Sequence, residues 1–252
     1  ELAGLSYGPA EISAKREKVR RALLKDSPHL DGGRITRIHQ SDLKLLFYLY
    51  DHIFFKGYFV NRFSGRVRFS LSPRMTKNAG KTLCPKNIKA LSPQEENYEL
   101  RISVLLLSSY GSLEGDKIVG GIKTRDSLEA LQLVFEHEIC HLIELHCFKK
   151  TSCRQARFRS LAGNLFGHTE SCHELPHGAE IAQVKFGLAV GDRVSFQVEG
   201  EKYTGVISRI TRRATVMVPH AGGDYRDGAG KRYHKFYVPL PLLQKSRTPR
   251  KS

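Results

Sequence analysis

The sequence predicts an α+β domain followed by a small all-β domain, on three observations. Apolar residues recur at helical spacing over 42–55 and again from Ser127 onward. Between those stretches, GRVRFSLS at 65–72 and YELRISVLL at 98–106 alternate apolar and polar residues, the pattern of half-buried strands. From Leu188 the texture changes to short alternating runs separated by turn residues. A chain of 252 residues holds one ordinary core plus a small second domain. No apolar run approaches the roughly 18 residues of a membrane span, so no membrane partner is expected.

Residues 1–40 are polar and basic. They read as an N-terminal arm with a short helix over 13–25 (SAKREKVRRALLK), either solvated or laid on a phosphate backbone or a partner. At 42–55, DLKLLFYLYDHIFF puts aromatics on one side of a core helix that Gly57 ends. The two alternating strands follow, and RMTKNAGKTLC at 74–84 between them reads as a turn and a further strand, giving a small antiparallel sheet. Glycines make 107–125 a loop. A long helix begins at Ser127, capped by Asp126 or Ser127, and a second spans 155–165 (QARFRSLAGNL) up to Gly167.

The long helix contains His137-Glu138-Ile139-Cys140-His141. Residues four apart share a helix face, so both histidines can present an imidazole nitrogen to one ion. Glu138 beside them is placed to take a proton from an attacking water and to hand it to a leaving amine. A His-Glu-x-x-His pentapeptide within an apolar helix is the minimal zinc-hydrolase pattern, and Zn2+ is the cofactor it implies. The competing reading is a pair of satisfied core or surface histidines. Glu144, one turn further, is expected to hydrogen-bond a histidine rather than to ligate the ion.

Forty-one Lys and Arg against twenty-five Asp and Glu give a net charge of +16, which favours a polyanionic partner such as nucleic acid. A solvated basic surface, or a basic chain embedded in a larger assembly, has the same composition. Cys84, Cys140, Cys147, Cys153 and Cys172 are odd in number and form no C-x-x-C pair. They imply reduced thiols and an intracellular, reducing compartment, with nucleus, nucleoid and organelle matrix not separable. The chain begins with Glu1, which implies a start that lies upstream or has been processed, and no secretory signal is visible. Neither a Gly-rich phosphate loop nor a Ser-His-Asp arrangement is evident, so nucleotide-driven and serine-hydrolase chemistry have no positive support.

The order LFYLYDHIFFKG, strand, RMTKNAGKT, YELRISVLLL, HEICH and a following helix resembles the SprT-like (Spartan-type) zinc metalloprotease domain, the family that includes DNA–protein crosslink proteases. The resemblance covers about residues 40–180 and includes Arg74, Met75, Ala79 and Gly80. It implies a zincin-like fold over 41–182, zinc on His137 and His141, and Glu138 as catalytic base. SprT-like domains supply a third histidine just before the second helix, in a pattern like HGxxF, where this chain has Ser152-Cys153-Arg154-Gln155-Ala156-Arg157-Phe158. Counting back from Phe158 puts Arg154 at the histidine position, and a guanidinium cannot ligate zinc. Cys153 can do so as a thiolate if the loop shifts by one residue. His168, with His173 behind it, is the alternative, although a regular second helix would carry His168 about 20 Å from Cys153. Cys153 is preferred over His168, and a site without a third ligand would be a degenerate scaffold.

In the second domain, at 187–244, RVSFQVEG, KYTGVISRIT, RATVMVPH and KRYHKFYVPL read as strands. Val190-Gly191-Asp192-Arg193-Val194 resembles the first turn of SH3-like barrels of the KOW or Tudor type. Lys202, Arg209, Arg212, Arg213, Arg232 and Lys235 are the candidate phosphate contacts, with Arg226 and Lys231 adding charge. Interleaved Tyr203, Tyr225, Tyr233, Phe236 and Tyr237 either stack on unpaired bases or, for half of them, close the core. Residues 245–252 read as a disordered basic tail. Together these features imply a zinc metalloendopeptidase acting on proteins bound to nucleic acid, DNA in preference to RNA. The rival is a decayed SprT-like scaffold or a nucleic-acid-binding subunit of a ribosome- or polymerase-type assembly.

Overall fold

The computed structural model describes residues 2–171 and 175–246, and the chain is of mixed α and β class. It divides into two compact units, one up to Leu175 and the other from Pro176. Cys172, His173 and the tail beyond Ser246 lie outside the described residues. Among the described residues, no helix is long and apolar enough to cross a membrane.

The first unit opens with helix α1 (Pro9–Asp26), α2 (Gln40–Phe54) and the single turn α3 (Tyr58–Asn61). Contrary to the solvated arm expected for 1–40, α1 is part of the core. Val19 and Leu23 are fully buried, and Arg16 reaches inward to a buried carboxylate. The arm's high charge hid this because Val19 and Leu23 sit one turn apart among Lys and Arg, whose aliphatic stems pack while their heads reach solvent or a partner. Helix α2 begins at a capping box in which Asp42 accepts from the His39 amide and the His39 ring accepts from Ser41. Tyr50 and Phe54 on its inner face pack on Phe166 with ring centroids 5.8 and 5.1 Å away, and Tyr50 also meets Phe135. Each such aromatic pair contributes about 1 kcal/mol beyond the area it buries.

Strands β1 (Arg66–Ser72), β2 (Gly80–Leu83) and β3 (Asn97–Ser103) form a sheet of order β1-β3-β2. The sheet is mixed, not antiparallel as expected: β1 pairs with β3 in parallel, Phe69 opposite Leu100, while β2 pairs with β3 antiparallel. Alternation marks a strand without fixing its direction. Here the 24 residues between β1 and β3 are long enough for the crossover that a parallel pair requires. β3 stops earlier than its apolar run suggests, because the Ser103 hydroxyl accepts from the Leu106 amide and caps a short helix, α4 (Val104–Ser108). The expected loop at 107–125 holds a hairpin of β4 (Lys117–Val119) and β5 (Ile122–Thr124). Gly120 and Gly121 both take positive φ at its turn, a conformation glycine adopts without strain.

Helix α5 (Ser127–Phe148) runs through the middle of this unit, and α6 (Ala156–Phe166) packs beside it. Asp126 caps α5 by accepting from the Glu129 amide. Ser127 is used differently, accepting from the Ile35 amide. Leu128, Leu131, Phe135, Leu142 and Ile143 are buried, and so are residues on the other faces, so α5 is enclosed around most of its circumference.

The second unit contains α7 (Gly178–Phe186) and strands β6 (Arg193–Val198), β7 (Glu201–Ile210), β8 (Arg213–Pro219), β9 (Tyr225–Arg226), β10 (Arg232–Pro239) and β11 (Gln244–Lys245). They form one antiparallel sheet of order β11-β6-β7-β8-β10-β9 around Val194, Phe196, Ile207, Val216 and Val238. The boundary therefore lies before α7, and not after residue 182. Ala182 of α7 is fully buried in this second core, and Gly178 lies so close to Thr211 that an added Cβ would overlap its carbonyl.

Candidate metal centre

Helix α5 presents His137 and His141 one turn apart on one face, and the loop between α5 and α6 brings Cys153 to them. One donor atom from each of the three lies within 4.8 Å of the others. The two Nε2 atoms are 3.1 Å apart. Two nitrogens bound about 2.0–2.1 Å from a tetrahedral centre stand roughly 3.3 Å from each other, so the imidazole spacing suits a shared ion. Both rings lie on Phe158 of α6, with centroids 4.8 and 4.4 Å away, which fixes their planes from below. The group could hold a metal ion.

The tautomer of His141 follows from its partners. Thr151 Oγ1 lies 2.5 Å from His141 Nδ1 and 2.7 Å from Glu144 Oε2. A carboxylate only accepts, so the single hydroxyl proton goes to Glu144, and Thr151 must accept from Nδ1–H. The lone pair of His141 is thereby left on Nε2, facing His137. Glu144 is itself fully buried and held by Arg157 Nε at 2.7 Å. The carboxylate expected to touch a histidine acts through a threonine instead. Burial pulls the His141 pKa down to about 4, with the Glu144 charge working against it, so the ring is neutral and able to ligate at neutral pH.

Glu138 occupies the next position along the helix and is almost entirely buried. Thr82 of β2 donates its hydroxyl to the Glu138 carboxylate at 2.7 Å. Burial nonetheless pushes the carboxyl up to about 7, against the lowering effect of Thr82. Gly80 makes this placement feasible, since a Cβ there would stand 2.6 Å from both Glu138 Cγ and Oε1. Sequence reasoning named Gly80 only as part of a family pattern, and it missed Thr82 and Thr151. Their signal is too weak to read without the fold: each is a lone hydroxyl in a strand or loop.

His168 is not part of this group. It is buried on another face of α5, where its Nε2 donates to Glu136 at 2.9 Å and its Nδ1 faces Gly120 without a hydrogen-bond partner. Glu136 also takes two hydrogen bonds of 2.8 Å from Arg16 and one of 2.7 Å from Tyr50. Burial alone would raise the Glu136 carboxyl; Arg16 and His168 hold it below the usual range. Arg154 lies exposed in the loop before α6.

In the second unit, Lys202, Arg209, Arg213 and Lys235 occupy outward positions of β7, β8 and β10. Arg212 sits in the turn between β7 and β8, and Arg232 at the start of β10 donates back to the Gly223 carbonyl. Register aligns Arg193, Val206, Met217 and Lys235 in one row across β6, β7, β8 and β10, with Arg209, Thr215 and Tyr237 in the next. The outward positions of these four strands carry Arg193, Lys202, Arg209, Arg213 and Lys235, and the exposed carboxylate in these strands is Glu201 at the start of β7. Of the aromatics, Tyr203 and Phe236 pack against the core, whereas Tyr225 and Tyr237 are 43% and 63% exposed. Lys235 Nζ sits 3.4 Å from the Tyr225 ring centroid as a cation–π pair. No known protein family matches the chain, and no curated protein or solved structure matches it significantly.

Proposed function

We propose that the protein is a zinc-dependent endopeptidase that acts on proteins associated with nucleic acid, DNA in preference to RNA. The observation that carries this reading is the convergence of His137 Nε2, His141 Nε2 and Cys153 Sγ beside a buried glutamate that is not one of the ligands. Two imidazoles and a thiolate form a donor set suited to zinc, and three ligands among the described residues match catalytic zinc sites, which keep a position open. A zinc ion held there supplies Lewis-acid polarisation of a carbonyl and a water of lowered pKa. The work of the chain is then specific. Thr151 and Glu144 fix the His141 ring, and Thr82 aims the Glu138 carboxylate. Glu138 takes a proton from the attacking water and returns it to the leaving amine.

A polypeptide substrate suits the surroundings. β2 is an edge strand, paired only with β3 among the described residues, and it carries Gly80 and Thr82 beside Glu138. An extended chain added to that edge would run its carbonyls past the glutamate. The cluster of Arg193, Lys202, Arg209, Arg213 and Lys235 on outward strand positions of the second unit supports nucleic acid as the polyanion, with Tyr237 and Tyr225 exposed for stacking on bases. Tethering the two functions in one chain raises the local concentration of nucleic-acid-bound protein at the protease. The SprT-like and SH3-like resemblances of the two units are part of the same proposal.

The test is cleavage of a protein crosslinked to DNA by zinc-loaded protein, with and without free DNA. Glu138→Gln is expected to lower turnover by about 10²- to 10⁴-fold while leaving zinc content and DNA affinity unchanged. Arg209→Glu with Lys235→Glu is expected to reduce the salt dependence of DNA binding by about one unit per lost phosphate contact. Zinc-loaded protein that binds DNA and cuts nothing would move the assignment to the scaffold.

A further inference from the structure

The sheet edge opposite the metal centre borders a groove with a separate chemistry. In the order β1-β3-β2, β1 is the other edge strand. Its pairing is parallel, and the Arg66 amide donates to the Glu96 carbonyl at 2.8 Å. In a parallel ladder the backbone groups of alternate residues point to the same side. Arg66, Arg68 and Ser70 therefore spend their N–H and C=O groups on β3, and those of Val67, Phe69 and Leu71 point away from the sheet. No strand pairs with that side of β1 among the described residues.

Val67 and Phe69 line a groove of about 700 Å³ between β1 and the outer side of α2 and α3. Its floor is aromatic, with Phe47, Phe59 and Phe69 buried and in ring contact. Its rim is cationic: Lys44, Arg66 and Arg68 are exposed, and none makes a direct ion pair among the described residues, although Arg68 lies across the ladder from Glu99 and acts on its charge. Glu99, the carboxylate that lines it, is already engaged by Ser70 and Arg101.

We propose that this groove docks an extended, acidic peptide segment of a partner protein, added as a further strand to β1 with an aromatic or aliphatic side chain on the Phe47, Phe59 and Phe69 floor. Alternating unpaired donors and acceptors call for a ligand that offers both at the same repeat, which a peptide does and a phosphodiester does not. The cationic rim, with Lys44 and Arg66 free of any carboxylate contact among the described residues, selects acidic residues flanking the anchor. None of the residues lining the groove belongs to the metal centre, so the site stands or falls independently of the peptidase reading.

The experiment is fluorescence anisotropy on the full chain with a labelled probe peptide that alternates Glu and Val around a central Phe. Saturable binding is expected, weakened about tenfold or more in the Arg66→Glu, Arg68→Glu double variant. The probe N-methylated on alternate amides, which keeps its charge and side chains but loses its strand hydrogen bonds, is expected to bind about tenfold more weakly to the unaltered protein. Val67→Pro, which removes an outward N–H and leaves the β3 ladder intact, gives the same loss from the protein side. Equal binding of the two probes, unchanged binding by the Arg66→Glu, Arg68→Glu variant, or no saturation at about 1 mM would overturn the proposal. So would an oligo-thymidine strand that binds here, judged by its loss in the double variant, in place of the peptide.

Discussion

Two faces of helix α5 each bring histidine and carboxylate together, and they do so to opposite ends. Around Glu136, the Arg16, Tyr50 and His168 side chains all aim their hydrogens at one carboxylate, which is enclosed and fully occupied. At His141 the ring hydrogen points outward to Thr151 and the lone pair points inward to His137. In the first arrangement the carboxylate is saturated, and the ring nitrogen left over, His168 Nδ1, faces away from it toward Gly120. The second turns the His141 lone pair toward His137 Nε2, 3.1 Å away, a spacing that a shared cation would also suit. Adjacent residues, Glu136 and His137, thus belong to a closed structural cluster and to a group that could hold a metal ion.

The largest effect should come from the closed cluster. Glu136→Ala strands Arg16, Tyr50 and His168 in the core, and urea denaturation should show a loss of about 3–5 kcal/mol. His137→Ala should cost far less in the metal-free protein. A Glu136→Ala protein of normal stability that had lost zinc would erase the distinction.

Glu138 comes next. Its folded pKa of about 7 stands above the ordinary carboxylate value, so the unfolded chain releases that proton first. Its contribution is intact below about pH 4.5 and is lost as pH rises through 7, a difference of roughly 3 kcal/mol at pH 8. His141 acts in the other direction, losing stability as pH falls from about 6.5 toward 4. Subtracting the denaturation curves of metal-free wild type and Glu138→Gln isolates the first: the variant should gain on the wild type between pH 5 and 8. Parallel curves would show that Glu138 is already ionised.

Zinc affinity sharpens the comparison further. In competition with a chelator, Cys153→Ala should weaken binding by about 100-fold, while His168→Ala leaves it within about twofold at matched folded fractions. The smallest effect belongs to Thr151→Val, which removes the acceptor that fixes His141. It should weaken zinc about tenfold and restore part of that loss in Thr151→Ser.

Much of this was legible in the sequence because it rests on local periodicity. The 42–55 and 127–148 helices, the alternating strands and the face shared by His137 and His141 follow from spacing alone. What escaped depends on contacts between distant residues. The burial of α1 rests on Arg16 meeting Glu136, 120 positions away, and the parallel direction of β1 on a partner beyond β2. His168 could compete with Cys153 on paper because both are donor side chains near α6. Only the fold assigns one to Glu136 and the other to the histidine pair.

Gly80 sets the tolerance of the whole arrangement. No ligand changes if it becomes alanine, yet the added methyl would occupy the space in which the Glu138 carboxylate now rests. On the proposed reading, a one-base codon change would displace the proton carrier while leaving His137, His141 and Cys153 in place. If that reading holds, catalyst and inert metal-holding relative stand a single mutational step apart, with the step taken on a neighbouring strand and His137, His141 and Cys153 untouched.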